Sequence, residues 1–223
     1  MGQYWVLINL DKRQSLGGHL GKIQEIIYNS PHAALIPYLV VPTTPVDPSV
    51  RHAERLGSWA GDRLIFIGDY NKKDCYPKGV LTAEETEEFK EEGLYHVAYD
   101  WEKAPTMRLP RDAVAFAHDK VWVVRNLSKR IYARSDAFGT AAKYMRGPEA
   151  TKGRSLADIV LAVIHWSTHG DRGNFGWGRC AGDRFDICVG DVVDREEGWN
   201  DVSEVVAEQV REMWGECDVY DDD

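Results

Sequence analysis

The chain has no long apolar run. Nothing in its 223 residues approaches the roughly 18 apolar residues of a membrane helix. The opening M-G-Q-Y-W-V has no basic region followed by an apolar core, so no secretory signal is read there and the expected compartment is the cytosol. Cysteine is scarce: Cys75, Cys180, Cys188 and Cys217 show no paired short spacing and read as free thiols in a reducing compartment. Basic charge is in deficit. At a net charge of −9 a phosphate backbone is repelled, and the pairs Lys12-Arg13 and Lys129-Arg130 are too short to make a basic patch. Neither nucleic acid nor membrane is an expected partner. Also missing are G-x-S-x-G, the Gly-Lys-Ser/Thr of a P-loop, the dinucleotide fingerprint and any nucleophile signature around a cysteine. No cofactor is expected.

What is present is a repeat. Ser58 to Tyr70 reads S-W-A-G-D-R-L-I-F-I-G-D-Y, and Arg179 to Asp191 reads R-C-A-G-D-R-F-D-I-C-V-G-D. Ala60-Gly61-Asp62-Arg63 equals Ala181-Gly182-Asp183-Arg184, and Gly68-Asp69 matches Gly190-Asp191 with one residue inserted. Trp5–Arg13, W-V-L-I-N-L-D-K-R, and Trp122–Arg130, W-V-V-R-N-L-S-K-R, are identical at six of nine positions. Both echoes keep the same order at nearly the same offset, the signature of a tandem duplication. The expected division is a first unit over 1–101, a linker over 102–118 marked by Pro105 and Pro110, a second unit over 119–217 and an acidic tail over 218–223.

Composition is that of a globular chain, with 43% hydrophobic and 28% charged residues. Tyr4–Leu10 and Val121–Leu127 read as strands. Leu64–Ile67 is apolar at every position and predicts a strand buried on both faces, whereas Phe185, Ile187 and Val189 alternate with Asp186 and Cys188 and predict one drier and one wetter face. Leu35–Val41 reads as an edge strand because of Pro37, with Ile159–Ile164 as its counterpart. Leu20–Tyr28 and Ala137–Met145 have helical spacing. Thr82-Ala83-Glu84-Glu85 is a capping box that opens a short acidic surface helix, and Val202–Trp214 is the best amphipathic helix. The expected fold is α+β: two tandem repeats of an antiparallel sheet with one or two packed helices, related by a pseudo-two-fold axis.

The opening M-G-Q-Y-W…N-L-D-K-R, the stretch W-A-G-D-R-L…I-G-D-Y and the run W-V-V-R-N-L-S-K-R…Y-x-R-S-D-A together resemble an uncharacterised family of fungal proteins, with a shorter bacterial group similar to one unit alone. The resemblance spans nearly the whole chain. It implies a shared fold and supplies no chemistry.

Four constellations are candidate sites. Trp59, Asp62 and Arg63, with Asp183 and Arg184, offer a guanidinium fork for a carboxylate or phosphate and an indole face for stacking; the competing reading is a pair of structural turns. His165, His169 and Asp171, in H-W-S-T-H-G-D, would bring two imidazoles to one metal on a helix. On a strand they would stand about 13 Å apart, and an extended segment ending near Trp166 is expected. The glycine-rich loop His169–Gly178, which carries Trp177, could cradle an anion but reads more simply as a surface hairpin. The set Glu84, Glu85, Glu87, Glu88, Glu91 and Glu92 reads as a solvated helix face. The leading expectation is a non-enzymatic binding or interaction protein whose partner is a small molecule or a protein. The alternative is a metal-assisted hydrolase built on His165, His169 and Asp171.

Overall fold

The computed structural model describes residues 4–16, 35–42, 56–71, 76, 78–104, 116, 120–138, 152–166 and 179–215. The first repeat opens with β1 (Trp5–Asn9), turns into β2 (Gln14–Ser15), and continues through helix α1 (Ile36–Val40) to β3 (Leu64–Gly68). Helices α2 (Ala83–Glu88) and α3 (Leu94–Tyr99) lead to β4 (Glu102–Lys103). The second repeat runs β5 (Trp122–Asn126), β6 (Ile131–Arg134), a 3-10 turn (Ser135–Phe138), α4 (Lys152–Ile164), β7 (His165–Trp166), β8 (Phe185–Val189), α5 (Gly190–Arg195), β9 (Asn200–Asp201) and α6 (Ser203–Gly215).

The repeat is real to the register. β1 pairs antiparallel with β3 from Trp5↔Gly68 to Asn9↔Leu64, and β5 pairs with β8 from Trp122↔Val189 to Asn126↔Phe185. The hairpin turns agree as well. The Lys12 amide donates to Asn9 Oδ1 at 2.9 Å and the Lys129 amide to Asn126 Oδ1 at 3.0 Å. Such a side-chain turn then sets Arg13 and Arg130 at φ 52° and 53°. One detail of the sequence alignment is corrected. Val189, not Gly190, occupies the place of Gly68, so the second Gly-Asp is a coincidence: Gly190 opens α5 with no insertion in the strand.

The fold is therefore α+β, with two similar sheet units related by a pseudo-two-fold axis. The axis passes where Arg63 and Arg184 form an antiparallel bridge. The bonds around it are reciprocal: the Gly61 amide donates to Phe185 O and the Gly182 amide to Leu64 O, both at 2.7 Å. The sheets are mixed rather than purely antiparallel. The first has the order β4-β2-β1-β3-β7 and the second β8-β5-β6-β9, and the outer pairs β2/β4, β3/β7 and β6/β9 are parallel. Parallel neighbours need a crossover, which the helices supply. Glu102–Lys103, expected to begin the linker, is a strand of the first sheet.

Two further expectations are corrected. Leu35–Val41 is not an edge strand but contains α1, because a proline in the first helical turn removes only an N–H that would have no helical partner. Ile159–Ile164 is helical, part of the thirteen-residue α4. Its apolar run is buried nearly all round, a pattern that a buried helix and a buried strand share. The helices predicted over Leu20–Tyr28 and over most of Ala137–Met145 lie outside the described residues.

The halves share one core. Trp5, Leu7, Leu64 and Phe66 from one sheet join Trp122, Val124, Phe185 and Ile187 from the other in a single cluster. The connections cross over: α1 of the first half packs on β8, while α4 of the second packs on β3 and delivers β7 to its edge. On its other face the first sheet buries Val6, Ile8, Ile65 and Ile67 under Phe89, Leu94, Tyr95 and Ala98. That second cluster explains why Leu64–Ile67 is dry on both sides. The second sheet has Arg125, Asp186 and Cys188 on that face instead.

Phe66 is 1% exposed and stacks on Trp5 at 4.9 Å between ring centroids. Phe66→Ala should cost about 3–5 kcal/mol in chemical denaturation. A loss below about 1 kcal/mol would show that the core is not where the strand places it.

Candidate functional site

The A-G-D-R turns meet at the axis, and each is latched to its own hairpin. Asn9 Nδ2 donates to Asp62 Oδ2 at 2.7 Å, and Asn126 Nδ2 to Asp183 Oδ2 at 2.7 Å. Both asparagines are buried, at 0% and 3% exposure. Lys12 joins Asp62 at 3.4 Å and Lys129 joins Asp183. A charge-assisted bond of this kind contributes about 1.5–3 kcal/mol. The turns also need glycine: Gly61 and Gly182 sit at φ 80° and 77°, and a Cβ on Gly182 would come within 2.7 Å of Val80.

The two arginines diverge. Arg63 is saturated: its Nε donates to Asp11 at 2.7 Å, its Nη1 and Nη2 grip Glu85 at 3.0 and 2.6 Å, and Nη1 also reaches Val80 O. Arg184 sends Nη1 to Asp11 Oδ2 at 2.7 Å and to Gly61 O at 2.8 Å, and remains 47% exposed. Ser128 stands where the first repeat has Asp11 and accepts the Arg184 amide at 3.0 Å. Burial alone would raise the Asp11 carboxyl, but bonds from Arg63 and the nearby charge of Arg184 hold it below its ordinary range. The Arg63 guanidinium likewise depresses Glu85, against its burial.

Trp59 does not offer a stacking face. It is fully buried and donates from Nε1 to Gln14 Oε1 at 2.9 Å. Trp59, Asp62, Arg63, Asp183 and Arg184 are thus brought together, the first four as internal structure and Arg184 at the surface with one nitrogen engaged at the axis. The acidic helix has a solvated face as expected, Glu88 included although it pairs with Arg13 at the surface; Glu85 departs from it, drawn in against Arg63. Their spacing at i and i+3 was visible, but their targets lay far away along the chain.

The second half holds a cavity of about 20 Å³, lined among others by Val124, Asn126, Ala133, Ile159, Cys180 and Phe185. The equivalent positions in the first half carry Leu7, Leu16 and the large Trp59 in place of Val124, Ala133 and Cys180. The cavity is the room that smaller side chains leave. Burial raises the Cys180 thiol and pushes Cys188 up to about 12, so neither is an activated nucleophile.

His165 is the first residue of β7, and α4 ends at Ile164, so the histidine spacing is not carried by that helix. His169, Asp171 and Trp177 lie outside the described residues, and among the described residues no cluster of three His, Cys, Asp or Glu is placed to hold a metal. No described helix is long and apolar enough to cross a membrane. No family model, curated protein or solved structure matches the chain.

Two outcomes follow from this geometry. Glu85 is ionised in the fold and its pKa lies below the ordinary 4.5. Its contribution is complete above that pH and is lost as pH falls through the lowered value. Glu85→Gln should therefore lose about 1–3 kcal/mol at neutral pH and converge on the wild type in acid. Urea midpoints at pH 7 and pH 3 that stay equally far apart would refute the pairing. Val124→Ile adds one methylene to the cavity wall and should stabilise the fold by about 0.8 kcal/mol; a loss of about 1 kcal/mol in the same assay would show that there is no room.

Proposed function

We propose that the protein is a cytosolic, non-enzymatic binding or interaction protein that receives its partner, a small molecule or a polypeptide, through its second half. One contrast between the repeats carries the reading. The first half fills its own sites: Trp59 occupies its core, and α2 supplies Glu85 and Glu88 to its arginines. The second half leaves one corresponding place open, an Arg130 that meets no carboxylate among the described residues; the cavity beside Cys180 is only of a water's size and is no ligand pocket. The charged groups at the axis are paired with one another and are not poised for acid–base chemistry.

The test is native mass spectrometry of the protein purified under mild conditions, combined with elemental analysis. A co-purifying small molecule or polypeptide without stoichiometric metal is expected. Stoichiometric zinc that disappears in the double variant His165→Ala/His169→Ala would replace this reading with the metal-assisted hydrolase on His165, His169 and Asp171.

A further inference from the structure

Helix α2 shows what these repeats can hold. Its N-terminus is closed by the reciprocal Thr82–Glu85 capping box. Glu85 and Glu88, one turn apart on the same face, are then received by two arginines of the first repeat. Arg13 grips Glu88 with two bonds of 2.5 Å, and Arg63 grips Glu85 at 2.6 and 3.0 Å. The Arg13 guanidinium lies over the Trp101 ring at 5.9 Å.

The second repeat rebuilds the receiving parts without the helix. Arg130 occupies the same turn position as Arg13, at φ 53° against 52°. Its guanidinium lies over Trp199 at 5.6 Å, and Trp199 precedes β9 as Trp101 precedes β4. Arg184 is the counterpart of Arg63. Between β3 and β4 the chain runs through residues 69–101 and includes α2. Between β8 and β9 it has only residues 190–199, all described, and these hold the short α5 alone. The connection that supplies the acidic helix in the first half is missing from the second.

The arginines keep capacity for it. Arg130 is exposed, and its bond is from Nη2 to the Glu197 carbonyl at 3.0 Å. Arg184 uses Nη1 toward the axis, with Nε and Nη2 not bonded among the described residues. We infer that the second half is a docking place for an acidic helix of another polypeptide, carrying two carboxylates three residues apart that Arg130 and Arg184 receive as Arg13 and Arg63 receive α2. A guanidinium fork over an indole, with a carboxylate as its complement, sets the charge of the occupant; the three-residue spacing is that of Glu85 and Glu88, which the equivalent arginines receive in the first half.

This inference rests on the reading as an interaction protein, and its test is separate. The probe is a labelled peptide with the sequence of residues 79–93, lactam-stapled because a free helix of that length is marginal. It is titrated with the full chain by fluorescence anisotropy. Saturable binding is expected, weakened about tenfold or more when the peptide's two glutamates equivalent to Glu85 and Glu88 are changed to Gln, and again in Arg130→Gln. An unchanged melting temperature for that variant, whose altered side chain is exposed, shows that the fold is intact. No binding, or binding insensitive to Arg130→Gln, overturns the inference. So does binding lost in Arg13→Gln instead, which means exchange with α2, or binding seen only after residues 218–223 are removed, which means the chain's own tail is the occupant. Failure here leaves the broader reading to the co-purification test.

Discussion

A hydrogen bond from a buried asparagine to the aspartate of the A-G-D-R turn is the constraint on which the structure depends. Asn9 ends β1 and faces Leu64 across the sheet, so its bond to Asp62 fixes where the returning chain enters β3. The same side chain accepts the Lys12 amide and shapes the β1–β2 turn. One residue thus sets three segments in register, and Asn126 does so again. Removing either asparagine would leave a largely buried carboxylate with fewer partners, a cost larger than the net value of the bond itself.

The latch delivers Arg63 and Arg184 to the axis, and there symmetry creates a problem. A two-fold arrangement places each residue near its own copy, so two guanidiniums converge. Two carboxylates balance them, but both come from the first repeat: Asp11 stands between the arginines, and Glu85 completes Arg63. Ser128 contributes a hydroxyl where a symmetric assembly would have a second Asp. The charge balance at the centre therefore belongs to the fused chain as a whole. Shared burial of Trp5, Leu7, Trp122 and Val124 in one core makes the same point for apolar packing.

Much of this was legible in the sequence, for identifiable reasons. The duplication showed because the motifs that repeat, N-L-x-K-R and A-G-D-R, are those whose side chains close the latch. Leu64–Ile67 announced a doubly buried strand and Thr82–Glu85 a capped helix, because local pattern and environment agree at each, whereas Val202–Trp214 announced a helix whose Val205 is nonetheless 59% exposed. Where they disagree the reading failed. Pro37 sits in a helix start that looks like an edge strand. Ile159–Ile164 is too uniformly apolar to show a period, and assigning it by analogy with Leu35–Val41 carried one error into two places. Glu85 looks like a solvent-facing charge because its partner, Arg63, is distant along the chain. Nothing local in Cys180 marks it as standing where the first repeat has Trp59.

A duplicated scaffold must close each turn twice, whereas each outer surface is needed only once. The turns are accordingly the same in both halves, down to the positive φ of Arg13 and Arg130. The outer faces are not. In the first half Ile8 and Ile65 are sealed beneath Phe89 and Leu94. In the second, Arg125 and Asp186 stand at the equivalent positions, paired at 2.7 Å, with Arg125 lying under Trp199. The connection between β8 and β9 brings no counterpart of Phe89 and Leu94 to that face, so a mutually paired Arg and Asp beneath an indole fits it where two isoleucines would lack the apolar cover they have in the first half. The ion pair and the short connection between β8 and β9 therefore belong together: each half carries on its outer face the side chains that its own connection can cover.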